Sequence, residues 1–291
     1  MIQHVVVVGG AGAVGALFTE RLLETGAAVT VVDSAASGRS DERVRRIQGD
    51  VTAADPALAA ELGRADLVVL ALPDAVALAA VPRIADVLSS GALLVDTLSV
   101  KQPMTEAVRT HAPNVQAVGV NPMFAPSLGF PGRPVAAVTV NPGPLAEEFL
   151  TLVESWGARV VRVDAAEHDR LAGAAQVLPH AAVLGFGLAL AGLGVSAADV
   201  REVAPPPANT LLALLARIAS GTPEVYRDVQ SANPEAAGAR EALAAGLHRL
   251  AHVVEAGSEA DFAAILAELR DYLGGDLAHH RDTCARLFTS V

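Results

Sequence analysis

Aromatic side chains are scarce: Phe, Tyr and Trp make up 3% of the 291 residues, whereas 52% of the chain is hydrophobic. Any core is therefore built from Ala, Val and Leu, and the length suggests two domains rather than one. Basic charge is also short. A formal net charge of −11 argues against general nucleic-acid binding, but not against an anionic small substrate that needs one or two local cations. Cys284 is the only cysteine, which excludes an intramolecular disulfide framework and fits a reducing cytoplasm. The eight histidines form neither an HExxH pattern nor a Cys/His ligand spacing, so no metal is expected. The first apolar run begins almost at Met1, and no secretory signal is expected.

What is present starts with Val5-Val6-Val7-Val8. A β-branched run bounded by glycines reads as a strand buried on both faces of a parallel sheet. It leads into G-A-G-A-V-G from Gly10 to Gly15, the spacing of a dinucleotide-binding turn. Gly10 permits the turn, Gly12 lets the backbone approach a pyrophosphate, and Gly15 lets the next helix sit close to the strand. That helix, about Ala13 to Thr25, opens with Ala13 and Val14 and aims free N–H groups at the phosphates. Gly26 closes it. A second apolar strand, Ala28 to Val32, ends at Asp33. An acid there accepts hydrogen bonds from ribose hydroxyls and repels a 2′-phosphate, favouring NAD over NADP, although Arg39 complicates that preference.

Further along, Ser34 to Arg46 mixes both charge signs and reads as a loop and a surface helix. Asp55 to Leu62 reads as a short helix with Pro56 in its first turn. Asp66 to Pro73 is a third buried strand, whose end at Leu72 and Pro73 faces the nicotinamide half of the cofactor. Strands at Leu93–Thr97, Val115–Val120, Pro134–Val140 and Ala158–Val163 alternate with helices at Ala75–Leu88, Pro103–His111 and Pro144–Trp156. After Ala165 the strand signal vanishes and Ala- and Leu-rich helical runs take over. The fold class is α/β: a Rossmann-type, doubly wound, mostly parallel sheet in residues 1–164, followed by an all-helical domain in 165–291. The apolar run Ala181 to Ala198 has membrane-span length, yet it holds Gly185, Gly187, Gly192 and Gly194 and lacks a basic flank. It reads as the centre of a helical homodimer, not a membrane span.

Three stretches together resemble the prephenate dehydrogenases of tyrosine biosynthesis over nearly the whole length. They are Val95-Asp96-Thr97-Leu98-Ser99-Val100-Lys101, Val120-Asn121-Pro122-Met123-Phe124-Ala125-Pro126, and Glu167-His168-Asp169-Arg170 running on to Gln176-Val177-Leu178-Pro179-His180. The resemblance implies a cytoplasmic, NAD-linked homodimer that removes hydride from a cyclohexadiene ring and releases its carboxylate as carbon dioxide. It places Ser99 near the substrate's ring hydroxyl and the nicotinamide, Lys101 near the active site, and His180 facing the cleft from the helical domain. Plainer roles compete: Ser99 as a cap of the following turn, Lys101 as a solvated charge, His180 as a capping partner.

One position departs from the family. Its motif begins with a histidine that takes the ring hydroxyl's proton, and here that position is Asn121. An amide is no general base near neutral pH. A second departure falls at Asn209, where the family carries an arginine for the ring carboxylate; Arg217, Arg133 or Arg170 could supply that charge. The favoured substrate is 4-amino-4-deoxyprephenate, whose ring amine has a lone pair able to push hydride out without losing a proton first. The Asn121 carbonyl would accept from that amine. The alternatives are prephenate or arogenate, a different NAD(P)-linked oxidation, or a nucleotide-binding protein without catalysis.

Overall fold

The computed structural model describes residues 1–35, 42–53 and 55–289; Arg39 lies outside them. The strands and helices run β1 (His4–Val8), α1 (Ala13–Leu23), β2 (Ala28–Asp33), β3 (Val44–Gln48), α2 (Pro56–Leu62), β4 (Leu67–Leu70), α3 (Asp74–Val87), β5 (Leu93–Asp96), α4 (Gln102–His111), β6 (Gln116–Pro122), β7 (Pro134–Asn141), α5 (Pro144–Ser155), β8 (Arg159–Arg162) and α6 (Ala165–Ala172). One sheet joins them in the order β3-β2-β1-β4-β5-β6-β7-β8. Every pairing is parallel except β6 with β7. The chain winds outward from β1 in both directions, so the crevice beyond the ends of β1 and β4 is the switch point where such sheets bind ligands.

The valine run of β1 is buried on both faces. Val5 and Val7 pack with Phe18, Leu22 and Phe149 on one side of the sheet. Val6 and Val8 pack with Leu70, Ala80 and Ile84 on the other. The few aromatics are concentrated: Phe18 meets Phe130 edge-on at 5.4 Å, and Phe130 in turn packs on Trp156 at 5.0 Å. Edge-to-face geometry adds an attraction beyond area burial.

One expectation is corrected. The stretch read as loop and surface helix, of which residues 36–41 lie outside those described, ends in β3, which begins at Val44 and pairs in parallel to β2 from Val29–Val44 to Asp33–Gln48. Only Val44 is buried there, with Arg45 and Arg46 exposed, because an edge strand can keep charge in solvent. The compact units are Met1–Ala172 and Gly173–Val291, so α6 packs with the sheet. The reason is chemical. Asp169 on α6 accepts the backbone N–H groups of Lys101 at 2.8 Å and Gln102 at 3.0 Å, placing a carboxylate on the exposed donors at the start of α4.

The second unit opens with a π-helical turn, Gly173–Val177, and continues as α7 (Leu178–Gly192), α8 (Ala197–Val203), α9 (Pro206–Ala219), α10 (Pro223–Ser231), α11 (Ala236–Ala256), α12 (Glu259–Leu273) and α13 (Leu277–Phe288). A Cβ on Gly187 would lie 2.6 Å from Leu215 Cδ1, so this glycine sets how closely α7 and α9 approach. The buried apolar cluster here is small: Val177, Val229 and Ala236, with Ala239 against it.

Candidate active site

The turn between β1 and α1 is shaped by close approach. A Cβ on Gly15 would stand 2.3 Å from Gly9 O, so α1 can cross β1 only with hydrogen there. Gly9, which the sequence reading passed over, has φ +81° with Ala71 O against the place a side chain would take. Gly12 differs. Its Cβ would meet only Gly9 O, at 3.3 Å; it precedes α1 with no side-chain cap. The first N–H groups of α1, at Ala13 and Val14, therefore lack an intrahelical acceptor and suit an anion.

Asp33 closes the other side. Its carboxylate accepts the N–H of Ala11 at 3.1 Å and of Ala35 at 3.2 Å, fixing the glycine turn to the end of β2. A carboxylate offers about four acceptor sites, which leaves capacity for ribose hydroxyls. Gly12, Asp33, Leu72 and Pro73 line one cleft of ≈ 580 Å³ with Gly9 and Asp50, within the usual range of ligand sites. Gly10 and Gly15 stand behind it as packing positions. This donor set fits a dinucleotide.

The second cluster lies at the ends of β5 and β6. Lys101 is 1% exposed; its ammonium donates to Asp96 at 2.5 Å and to Val120 O at 2.9 Å. It is neither a solvated charge nor a cation turned outward to a ligand, but ties the loop after β5 to the residue preceding Asn121. Gly119 makes room for the pair, since its Cβ would fall 2.7 Å from Asp96 Oδ2. Ser99 is half-buried in that loop and does not cap α4, whose start carries no side-chain cap.

Asn121, 4% exposed, pairs across the sheet with Ala136. Its Nδ2 lies 3.2 Å from His168 Nε2, and His168 Nδ1 lies 2.8 Å from Asp169 Oδ1. Burial would raise the Asp169 carboxyl, but the His168 ring and the N–H groups of Gln102 and Lys101 outweigh it, leaving the group below its ordinary value. The ionised Asp169 requires a proton on His168 Nδ1, so in the neutral ring Nε2 is the acceptor and Asn121 is the donor. Sequence reasoning quoted His168, Asp169 and Asp96 within motifs but assigned them no role.

His180 sits in the second unit, on α7. Its Nδ1 is buried without a hydrogen-bond partner, and its ring meets Tyr226 edge-on at 5.3 Å. Burial, helped by the charge of Arg217, lowers its pKa and favours the neutral ring. Of the other cations considered for a carboxylate, Arg133 donates to Pro131 O and Arg170 to Glu167. Asn209 donates to Ala204 O at 3.3 Å.

Comparison with known proteins adds to this geometry. Residues 18–133 match the prephenate dehydrogenase nucleotide-binding domain, and residues 164–268 the prephenate dehydrogenase dimerisation domain. The chain is 54% identical over 286 residues to a 4-amino-4-deoxyprephenate dehydrogenase of Streptomyces pristinaespiralis, covering 98% of this chain and 96% of that one. Its fold is similar to that of prephenate dehydrogenase from Aquifex aeolicus, with a TM-score of 0.72, 19% identity, and 93% and 99% of the two chains covered. It is also similar to Synechocystis arogenate dehydrogenase, with a TM-score of 0.66, 17% identity, and 92% and 97% covered.

Proposed function

The chain belongs to the prephenate dehydrogenase family, and from that premise we propose that it oxidises 4-amino-4-deoxyprephenate with NAD, releasing carbon dioxide and giving 4-aminophenylpyruvate. The observation that carries this reading is Asn121: an amide held at the end of β6, where the family places an imidazole base. The relative with 54% identity, whose name specifies the amino compound, supports it.

NAD, when bound, supplies the acceptor for the hydride. The chain's own contribution is placement. Gly12 and the start of α1 would hold the pyrophosphate, Asp33 the adenosine ribose, and Leu72 with Pro73 would lie beside the nicotinamide. Ser99 offers a hydroxyl near the ring substituent. Asn121 Oδ1 accepts a hydrogen bond from the ring amine and orients it. With the amine bound in its neutral form, its lone pair stabilises the cation formed at the ring carbon as hydride leaves, so no base is needed at that step. Lys101 acts through Asp96 and Val120, as a positioning residue. His180, on α7, is held as a neutral imidazole by burial and by the charge of Arg217.

The enzyme is further read as a soluble homodimer formed by its helical domain. By length and composition the helical run Ala165–Gly192 is apolar enough to cross a membrane. It contains Glu167, Asp169 and Arg170, however, and belongs to a region that matches a dimerisation domain. A second copy, rather than lipid, is the cover assigned to it.

The test is a side-by-side assay of prephenate, arogenate and 4-amino-4-deoxyprephenate with NAD and NADP. The amino compound with NAD is expected to be turned over best; equal or better turnover of prephenate overturns the reading. Asn121→His, assayed beside the wild type, is expected to raise prephenate turnover, by up to the ~10²–10⁴ that a positioned base contributes.

A further inference from the structure

An amide has two ends that differ chemically but hardly in shape, so an asparagine meeting a substrate must have its orientation fixed by something else. At Asn121 the neighbour that does so is His168. The chain of contacts runs from the backbone N–H groups of Lys101 and Gln102 to Asp169, from Asp169 to His168 Nδ1, and from His168 Nε2 to Asn121 Nδ2. His168 and Asp169 are 2% and 0% exposed. Each link has one permitted polarity. Backbone N–H groups only donate, so the Asp169 carboxylate accepts. His168 Nδ1 must then carry a proton, and in the singly protonated ring Nε2 is a lone pair. The only end of Asn121 that can meet a lone pair is its NH₂.

We propose that His168, held by Asp169, is a positioning and specificity-determining residue that turns the carbonyl end of Asn121 toward the ring substituent. The proposal rests on the reading of Asn121 as the group that meets the substrate. A carbonyl oxygen has two lone pairs, so Oδ1 can receive a substrate N–H beside any partner within the chain. With the amide reversed, an NH₂ would face the lone pair of the ring amine. It would hold that pair in a hydrogen bond just when the pair must delocalise into the ring. The dyad thus selects the amide polarity that leaves the amine's electrons available for hydride departure.

Two isosteric substitutions separate orientation from packing. In His168→Gln the side-chain carbonyl can occupy the place of Nε2 and still accept from Asn121, while the link to Asp169 is lost. His168→Asn keeps a donor for Asp169 at the place of Nδ1 but presents nothing to Asn121. With 4-amino-4-deoxyprephenate and NAD, His168→Asn is expected to lose roughly 10- to 100-fold in kcat, the usual effect of removing an orienting partner, with KM little changed. His168→Gln should stay within about threefold of wild type, below that range. Equal losses in both variants, or losses that follow melting temperature instead of the acceptor, overturn the proposal.

Nitrogen-15 spectra of the histidine rings in the wild-type full-length chain give an independent reading, without substrate or variant. A His168 ring protonated at Nδ1 is expected, and a proton at Nε2 overturns the proposal even if every variant folds poorly. Failure of the substrate reading has a different signature: prephenate preferred by the wild type, with the Nδ1–H tautomer intact.

Discussion

Val7, Leu67, Leu70, Val95 and Phe149 in the sheet-bearing unit have no exposed surface, while Val203, Leu188, Leu193 and Tyr272 in the helical unit are 81%, 76%, 74% and 87% exposed. Both units are rich in the same small aliphatic residues. They differ in what those residues face. A parallel sheet carries helices on both sides, so every apolar position of β1 finds a partner within one chain. A set of helices built on Ala and Leu has apolar surface all round α7 and only a few buried positions to absorb it. The first unit closes its core within one copy, whereas the second leaves large apolar side chains exposed around a small buried cluster. The polar contacts of Asn121 and Asp33 accordingly lie on the first unit.

The sharpest way to break the self-sufficient half of this comparison is Lys101→Met. It leaves the Asp96 carboxylate, of which 6% of the side chain is exposed, without its counter-charge. Removing one partner of a buried pair costs about 3–5 kcal/mol, and the loss should appear as a lowered denaturation midpoint. A stability change below about 1 kcal/mol, the range of exposed pairs, would mean that water reaches Asp96 and that the unit is less closed than its exposures indicate.

Next in size is Leu188→Glu, aimed at the unfinished half. In an isolated copy a residue 76% exposed tolerates charge. At the centre of a dimer interface the same change costs about 2 kcal/mol, roughly thirtyfold in the dimer Kd. Sedimentation should show monomer at concentrations where the wild type is dimeric, while the spectroscopic signature of helix persists. An unchanged oligomeric state would place the covering surface elsewhere, with α9, α11 and α12 the next faces to substitute.

The contrast was largely legible in the sequence where burial was two-sided, and lost where it depended on distant partners. The run Val5–Val8, the glycine turn and Asp33 announce the sheet and its cleft because each signal is local. β3 escaped because Arg45 and Arg46 lie on an open edge, where charge is tolerated, and hide its strand pattern. The polarity of Asn121 could not be read at all, since it is set by His168, 47 positions away, and through Asp169 by Lys101, 68 positions from it. Lys101 looks like a surface charge in any window of sequence, because its burial is created by β6 and Asp96 folding around it.

Acid offers a subtler separation of the units. The folded pKa of His180 is lowered by burial and by Arg217, so its contribution is present above the unfolded value of about 6.5 and lost as pH falls through the folded value. For Asp169, burial raises the pKa but the His168 ring and two backbone N–H groups lower it further. Its contribution is present above the unfolded value of about 3.9 and lost only below that. Acidification from pH 7 should therefore loosen the helical unit first. Hydrogen exchange followed through α7 and through α4 would reveal this order, and simultaneous loss would mean that the two units unfold as one.

The smallest effect is expected from Arg249→Ala, and its smallness is informative. Arg249 on α11 forms a two-point contact with Glu268 on α12, at 2.8 Å and 2.5 Å, with both side chains more than half exposed. In an uncovered copy such a pair is screened by water and salt and adds little to stability. If a second copy covers this face, the same charges lose solvent, and removing one strands the other in a drier setting. The melting temperature of the variant should then match the wild type in dilute, high-salt solution, and fall behind it as protein concentration rises. Coincidence of the two at every concentration would exclude α11 and α12 from the covered surface and confine the interface to α7 and α9, where the apolar run is longest.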